Sequence, residues 1–123
     1  MIALSVVSPA GSRIRTKQKI IEVRDWRPDN LPLSDLIIVQ NDTRLSSNGV
    51  AEDPNGRVVA VVDVIKVRPW IESDMQDSCA SYFEDGWLAW ELSNIRKANY
   101  PGDVPAKLRL YDLDIDESML KRE

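Results

Sequence analysis

The side chains best suited to chemistry lie in the segment RIRTKQKIIEVRDW, residues 13–26. Lys19, Glu22 and Arg24 follow one another there in the spacing Lys-x-x-Glu-x-Arg. In a strand, Glu22, Arg24 and Trp26 share one face because side chains alternate. In a cleft, the two cations would stabilise charge on phosphate oxygens, and the carboxylate would accept a proton from water or a ribose hydroxyl. The alternative is an exposed Glu22–Arg24 ion pair worth about 0–1 kcal/mol, with Lys19 solvated.

Further cations of the same segment suit phosphate contact rather than bond cleavage. The predicted phosphate-contacting residues are Arg13, Arg15, Lys17 and Arg27. On a helix Arg13 and Lys17 share a face, whereas Arg15 points elsewhere, so these cations do not all contact one ligand.

An aromatic ring and a side-chain amide are the predicted base-contacting groups. Trp26 is predicted to stack on a base, a contact worth roughly 1–3 kcal/mol in single-strand binders, with core packing as the alternative. Gln40 and Asn41 end a predicted strand, where they either read a base edge or cap the following turn. Trp87 and Trp90 are three residues apart on a predicted strand and so are expected to face opposite sides.

Charge and composition restrict the possible functions. The 123 residues carry a net charge of −4, but residues 13–27 hold six cations and two carboxylates, a local sum of +4. A cationic patch on an acidic protein suits a small anion or a short single strand better than a long duplex. The absence of histidine excludes Ser–His and Cys–His nucleophile systems and histidine zinc sites.

The sequence also predicts where the protein resides. Cys79 is the one cysteine, which excludes an internal disulfide and fits a reducing cytoplasm. The short apolar run at the amino terminus follows no basic segment, which argues against a signal peptide. No run approaches the roughly 18 apolar residues of a membrane span. We therefore predict a cytoplasmic protein with no membrane partner.

Hydrophobic patterning predicts a small α+β protein. Strands are expected at 2–7, 19–26, 35–40, 57–70, 86–93 and 106–114, helices at 8–18 and 71–83, and a long polar loop at 41–56. Because no long crossover helices separate the strands, we predict a mixed β-barrel of five to six strands flanked by short helices.

Four segments in this order resemble the ASCH domain, a relative of the PUA domains of RNA-modifying enzymes. They are the Lys-x-x-Glu-x-Arg segment, NGRVVAVVDVIKVRPW, GWLAWELSNIRK and VPAKLRLYDL. The resemblance covers about residues 3–113 and implies one ASCH/PUA-like domain over 1–123, with residues 114–123 as an acidic tail. It also implies a PUA-like barrel whose cleft, beside the first helix, is lined by the Lys-x-x-Glu-x-Arg segment. Lys17 stands where such families usually place a helix-ending glycine.

The resemblance implies an RNA-related function. Some family members resemble metal-dependent ribonucleases, so we predict a ribonuclease for single-stranded RNA, with Lys19, Glu22 and Arg24 as catalytic residues and Mn²⁺ or Mg²⁺ as a possible cofactor whose ligands are not assigned. A non-catalytic RNA-binding module is the alternative. A third reading, hydrolysis of acetylated cytidine, would use Glu84 as a carboxylate but lacks the family's threonine, which Glu22 replaces. The expected partner is single-stranded RNA or a nucleotide, bound by a monomer or weak homodimer.

Overall fold

The computed structural model describes residues 1–123 as a β-rich α+β fold. The strands are β1 (Ile2–Val7), β2 (Ile21–Arg24), β3 (Leu33–Asn41), β4 (Glu52–Pro69), β5 (Leu88–Asn99), β6 (Val104–Lys107), β7 (Leu110–Asp112) and β8 (Lys121–Arg122). The α-helices are α1 (Ala10–Arg15) and α2 (Met75–Ser78), and short 3-10 helices cover Glu72–Asp74 and Glu117–Met119. No helix has both the length and the apolar character needed to cross a membrane.

The strands form a mixed sheet in the order β2-β5-β4-β3-β1-β7, with β6 paired to β4 and β8 paired to β5. Only β1 and β3 run parallel; the other pairs are antiparallel. The expected number of five to six strands is too low. The last predicted strand is divided into β6 and β7, which pair with different neighbours, and the acidic tail contributes β8. The order runs open from β2 to β7, so the pairing shows the α+β fold but no closed barrel.

The core explains why β3 and β4 are apolar on both faces. Alternate residues of β3 enter two different hydrophobic clusters, with Leu36 and Ile38 in one and Ile37 and Val39 in the other. All four are fully buried or nearly so. Burial of both faces removes the usual polar alternation of a strand, as the sequence pattern indicated.

Both α-helices are shorter than expected, because each ends at a residue with a left-handed backbone. Lys17 has φ 64° just after α1, and Cys79 has φ 56° just after α2. A residue in this conformation is a common helix terminator. The left-handed backbone of Lys17 fits the helix-ending role that the resemblance implied for this position, and it lets the chain turn into β2.

Helix α1 packs very closely on the sheet at Gly11. A Cβ atom placed on Gly11 would lie 2.8 Å from Cβ of Gln40 and 3.0 Å from Cγ2 of Val59. The side chain of Gln40 also holds the helix, because its Oε1 accepts a hydrogen bond from the backbone N–H of Ser12 at 2.8 Å. Gln40 therefore fastens α1 to β3, with its side-chain amide engaged by Ser12.

Replacing Gly11 by alanine is expected to destabilise the fold. Crowding against Gln40 and Val59 outweighs the better helix propensity of alanine, and we expect a net loss of about 1–2 kcal/mol in the free energy of unfolding. Urea titration followed by tryptophan fluorescence measures it. Gly49→Ala is the control, because its Cβ would meet only the Ser46 hydroxyl, 2.9 Å away on a side chain that can rotate. Equal stability of the two variants would contradict the close packing of α1.

Candidate functional site

One cavity of about 410 Å³ brings together four of the nine predicted site residues, namely Glu22, Arg24, Trp26 and Asn41. Its wall is formed by the end of β1, the beginning of α1, strand β2, the turn after β3 and the connection between β6 and β7. The side chains used below are Ser5, Glu22, Arg24, Asp25, Trp26, Asn41, Arg44, Trp87, Lys107 and Arg109, all of which line it.

Glu22 is the centre of a buried ionic cluster. One of its carboxylate oxygens lies 3.3 Å from Nζ of Lys19, and the other accepts a hydrogen bond from Nη2 of Arg24 at 3.0 Å. The same Nη2 donates to the backbone carbonyl of Ser5 at 2.9 Å, which ties β2 to β1. Glu22 is 7% exposed, so the alternative of a solvated surface ion pair is wrong.

Lys19 lies behind Glu22 rather than in the cavity. It is 6% exposed, and its Nζ donates to the backbone carbonyl of Ser78 at 2.8 Å. Only Glu22 and Arg24 of the three predicted catalytic residues line the cavity. The Lys19 amine therefore contacts Glu22 and the C-terminal end of α2. A phosphate in the cavity would meet Arg24 rather than Lys19.

The cluster determines the protonation state of Glu22. Burial by itself would raise the pKa of Glu22, but the charges of Arg24 and Lys19 and their hydrogen bonds outweigh it and lower the pKa below the ordinary value of 4.5. Glu22 is consequently a carboxylate at neutral pH. Its low proton affinity makes it a weak general base, since a base works best with a pKa near the working pH.

The predicted phosphate-contacting residues lie outside this cavity. None of Arg13, Arg15, Lys17 and Arg27 is among the residues that line it. Arg15 instead donates from Nη1 to the backbone carbonyls of Val59 at 2.9 Å and Ala98 at 2.8 Å, which fastens α1 to the sheet. Arg15 and Lys17 line a second, separate depression.

Three other cations, which the sequence argument missed, line the cavity. Arg44 follows β3, and Lys107 and Arg109 lie in and after β6. None of the three forms an ion pair. The sequence did indicate that two of these cations could act together, because Lys107 and Arg109 are two residues apart in a predicted strand and so share a face. Nothing in the sequence pattern distinguished Arg44 from the rest of its loop.

The cavity is positively charged. Arg24, Arg44, Lys107 and Arg109 on its wall exceed the two carboxylates, Glu22 and Asp25, by two charges. This excess contrasts with the net charge of −4 of the whole chain. Since Glu22 is neutralised by its own partners, the three unpaired cations remain free to meet an anion.

Trp26 lines the cavity, and its ring also packs against other side chains of the protein. Its ring meets the ring of Trp90 edge to face, with centroids 4.9 Å apart, and the guanidinium of Arg109 lies 5.0 Å from the ring centroid of Trp26. Arg109 therefore covers one face of the predicted stacking platform. Trp90 is fully buried, whereas Trp87 is half-buried, lines the cavity and precedes β5, so the strand does not include both tryptophans as expected.

Asn41 caps the turn after β3 and borders the cavity. Its Nδ2 donates to the backbone carbonyl of Thr43 and, at 3.1 Å, to Oδ2 of Asp53. The capping role considered for this residue is confirmed.

The residues of the chain do not fit a divalent metal ion. No group of three or more His, Cys, Asp or Glu side chains is placed to hold one. Both oxygens of Glu22 already contact cationic side chains. Such ions require several oxygen ligands, and a carboxylate surrounded by cations is a poor one.

Comparison with known protein families identifies the family to which the chain belongs. The family model described as the ASCH domain matches residues 4–102. The chain belongs to the ASCH domain family. The family is generally associated with RNA binding, and the match confirms the resemblance found in the sequence. Glu84, the carboxylate expected for amide hydrolysis in this ASCH domain, is exposed and does not line the cavity.

Solved structures similar to this ASCH domain include the crystal structure of ASCH from Zymomonas mobilis and that of a mutant of the same protein. Each is 16% identical to this chain, with a TM-score of 0.44. The alignments cover 87% of this chain and 73% and 75% of the two structures, respectively. No curated protein matches the chain.

Proposed function

We propose that the cavity binds one nucleotide of single-stranded RNA. The observation that carries this proposal is the presence of three unpaired cations, Arg44, Lys107 and Arg109, on the wall of a cavity in an otherwise acidic protein. Guanidinium and ammonium groups are the usual protein ligands of phosphate oxygens. Membership of the ASCH family favours RNA as the source of that phosphate.

The form of the cavity supports a single nucleotide. Its volume of about 410 Å³ lies in the range of small-molecule sites. Trp26 and Trp87 offer apolar surface for the base, and the cations offer charge for the phosphate. A cavity that combines aromatic rings with cations is typical of single-strand binders, whereas duplex binders present an extended cationic surface.

Cleavage of the bound RNA is the second function that we propose to test. The supporting observation is that the carboxylate of Glu22 and the guanidinium of Arg24 lie 3.0 Å apart on the cavity wall. In such a reaction Arg24 would bind the phosphate and Glu22 would take the proton of the attacking hydroxyl. The low pKa of Glu22 and the burial of Lys19 make binding the function that the geometry supports better.

Amide hydrolysis has the least support. Glu22 stands where the related amidohydrolases carry a nucleophilic threonine. Ser5 lines the cavity, but its hydroxyl lies 3.0 Å from the hydroxyl of Tyr111 and accepts a hydrogen bond from the backbone N–H of Lys107 at 3.1 Å. No carboxylate or amine is hydrogen-bonded to Ser5 to act as its base.

A binding and cleavage panel tests the proposal. The protein is titrated into fluorescent single-stranded RNA, single-stranded DNA and duplex RNA, and the anisotropy is recorded at several salt concentrations. We expect preferential binding of single-stranded RNA. The one or two phosphates that flank a single nucleotide would give a slope of about −0.7 to −1.4 in log K against log salt, from about −0.7 per neutralised phosphate. Absence of RNA binding at low salt would refute the proposed function.

The same RNA is then incubated with Mn²⁺, Mg²⁺ or chelator and analysed on a denaturing gel, and acetylated cytidine is analysed by chromatography. Binding without cleavage is the expected result. Cleavage that scales with protein concentration and disappears in a folded Glu22→Gln variant would establish the ribonuclease instead. Release of acetate from acetylated cytidine would establish the amidohydrolase.

A further inference from the structure

The orientation of the Asn41 amide is determined by its neighbours. Asn41 is 2% exposed, and its Nδ2 donates to the carbonyl of Thr43 and the carboxylate of Asp53. Both partners are oxygen acceptors, so an amide turned the other way would bring its own oxygen against them. The nitrogen of Asn41 therefore faces the turn, and the oxygen faces away from it.

Asp53 keeps the Asn41 amide in this orientation. Its Oδ1 accepts a hydrogen bond from the backbone N–H of Asn55 at 2.8 Å, and its Oδ2 accepts from Asn41. These two hydrogen bonds lower the pKa of Asp53 below its ordinary value. At neutral pH Asp53 is a carboxylate, which accepts hydrogen bonds from Asn41 and has no proton to donate to it.

The side-chain oxygen of Asn41 is an acceptor without a hydrogen-bond partner in the protein. It receives no hydrogen bond from the protein, since the side-chain bonds of Asn41 both start from Nδ2. The structure contains no fully buried side-chain oxygen or nitrogen without a partner, so this oxygen meets solvent. The cavity is the solvent-filled space that Asn41 borders.

We infer that Asn41 selects nucleotides whose base carries an exocyclic amino group, by accepting a hydrogen bond from that group with Oδ1. The inference rests on the proposed function, because the nucleotide must enter the cavity. Cytosine and adenine present an amine where uracil and hypoxanthine present a carbonyl oxygen. An acceptor that faces another acceptor leaves both without a partner, which costs about tenfold in affinity.

Matched nucleotide pairs test this selection. The affinities of CMP, UMP, AMP, IMP and ribose 5-phosphate for the whole protein are measured by isothermal titration calorimetry. For the wild type we expect CMP to bind about tenfold more tightly than UMP, and AMP about tenfold more tightly than IMP. Ribose 5-phosphate has no base and so reports on the phosphate contacts alone.

Three variants assign the preference to the Asn41 oxygen. Asn41→Ala is expected to lower the CMP:UMP ratio to about one. Asp53→Asn presents an N–H group to the Asn41 amide while its Oδ1 still accepts from Asn55, so that only the Thr43 carbonyl still fixes the amide; the CMP:UMP ratio is expected to fall below that of the wild type while the fold is retained. Asn48→Ala removes an exposed amide of the same turn and is expected to keep the wild-type ratio.

The outcomes separate this inference from the function on which it rests. Equal binding of CMP and UMP by the wild type would overturn the inference while leaving the nucleotide site in place. A preference that survives in both Asn41→Ala and Asp53→Asn would overturn it as well. If neither the nucleotides nor ribose 5-phosphate bind, the proposed function fails and the inference fails with it.

Discussion

Replacing Arg44, Lys107 and Arg109 together by alanine is expected to weaken the binding of single-stranded RNA by about 100-fold, roughly 1 kcal/mol for each lost phosphate contact. The three side chains are the unpaired cations of the cavity, so no internal ion pair is broken by their removal. The salt dependence of binding should become shallower at the same time, because fewer counterions are released. Fluorescence anisotropy at two or more salt concentrations measures both effects.

The matched control for this triple variant removes the same charge from another surface. Arg13, Lys17 and Arg27 were expected from the sequence to contact phosphate, but they do not line the cavity. Their simultaneous replacement by alanine changes the net charge equally and is expected to weaken binding less than threefold. If the control loses as much affinity as the cavity variant, the RNA lies elsewhere or is held by long-range charge alone.

Glu22→Gln is expected to destabilise the protein strongly. The substitution removes the negative charge that Lys19 and Arg24 share and leaves the buried amine of Lys19 without a counter-ion. Removing one partner of a buried ion pair costs about 3–5 kcal/mol, far more than removing one partner of an exposed ion pair. Urea unfolding at neutral pH measures the difference. Asp25→Asn is the control, because Asp25 is an exposed carboxylate with no ion-pair partner, and its change is expected to stay within about 0.5 kcal/mol.

The dependence of stability on pH gives a second measure of the same cluster. Because folding lowers the pKa of Glu22, its contribution to the free energy of unfolding is complete above the ordinary pKa of 4.5 and is lost as the pH falls through the lower pKa of the folded protein. The difference in stability between wild type and Glu22→Gln should therefore shrink as the pH is lowered below about 4.5. A difference that stays constant down to acid pH would show that Glu22 is not held as a carboxylate by its neighbours.

Much of the fold was predictable because it depends on local patterns. The apolar segments of β1 and β2 and the apolar runs of β3 and β4 indicated strands that the structure contains. The order of four segments indicated the ASCH family, which the family model confirms over residues 4–102. The number of strands was underestimated, because whether the segment after Pro105 continues as one strand depends on its partners. Its two parts pair with β4 and β1.

The site was predictable only where it lies on one strand. Glu22 and Arg24 reach the same cavity because a strand sends alternate side chains to one face, and Trp26 lines it from the bend that follows β2. The burial of Lys19 depends on the carbonyl of Ser78, which is 59 residues away in the chain. Arg44 follows β3, whereas Lys107 ends β6 and Arg109 follows it. Only the pairing of both strands with β4 brings the three cations together.

Composition and periodicity alone therefore determined that this chain is an α+β protein without histidine chemistry, with a Glu and an Arg on one face of a strand. The tertiary structure decided which cations remain free to bind an anion and which are used to hold the fold. The physical reason is that a charged side chain is free or engaged according to the groups packed around it. Those groups come from distant parts of the chain, so no local sequence pattern records them.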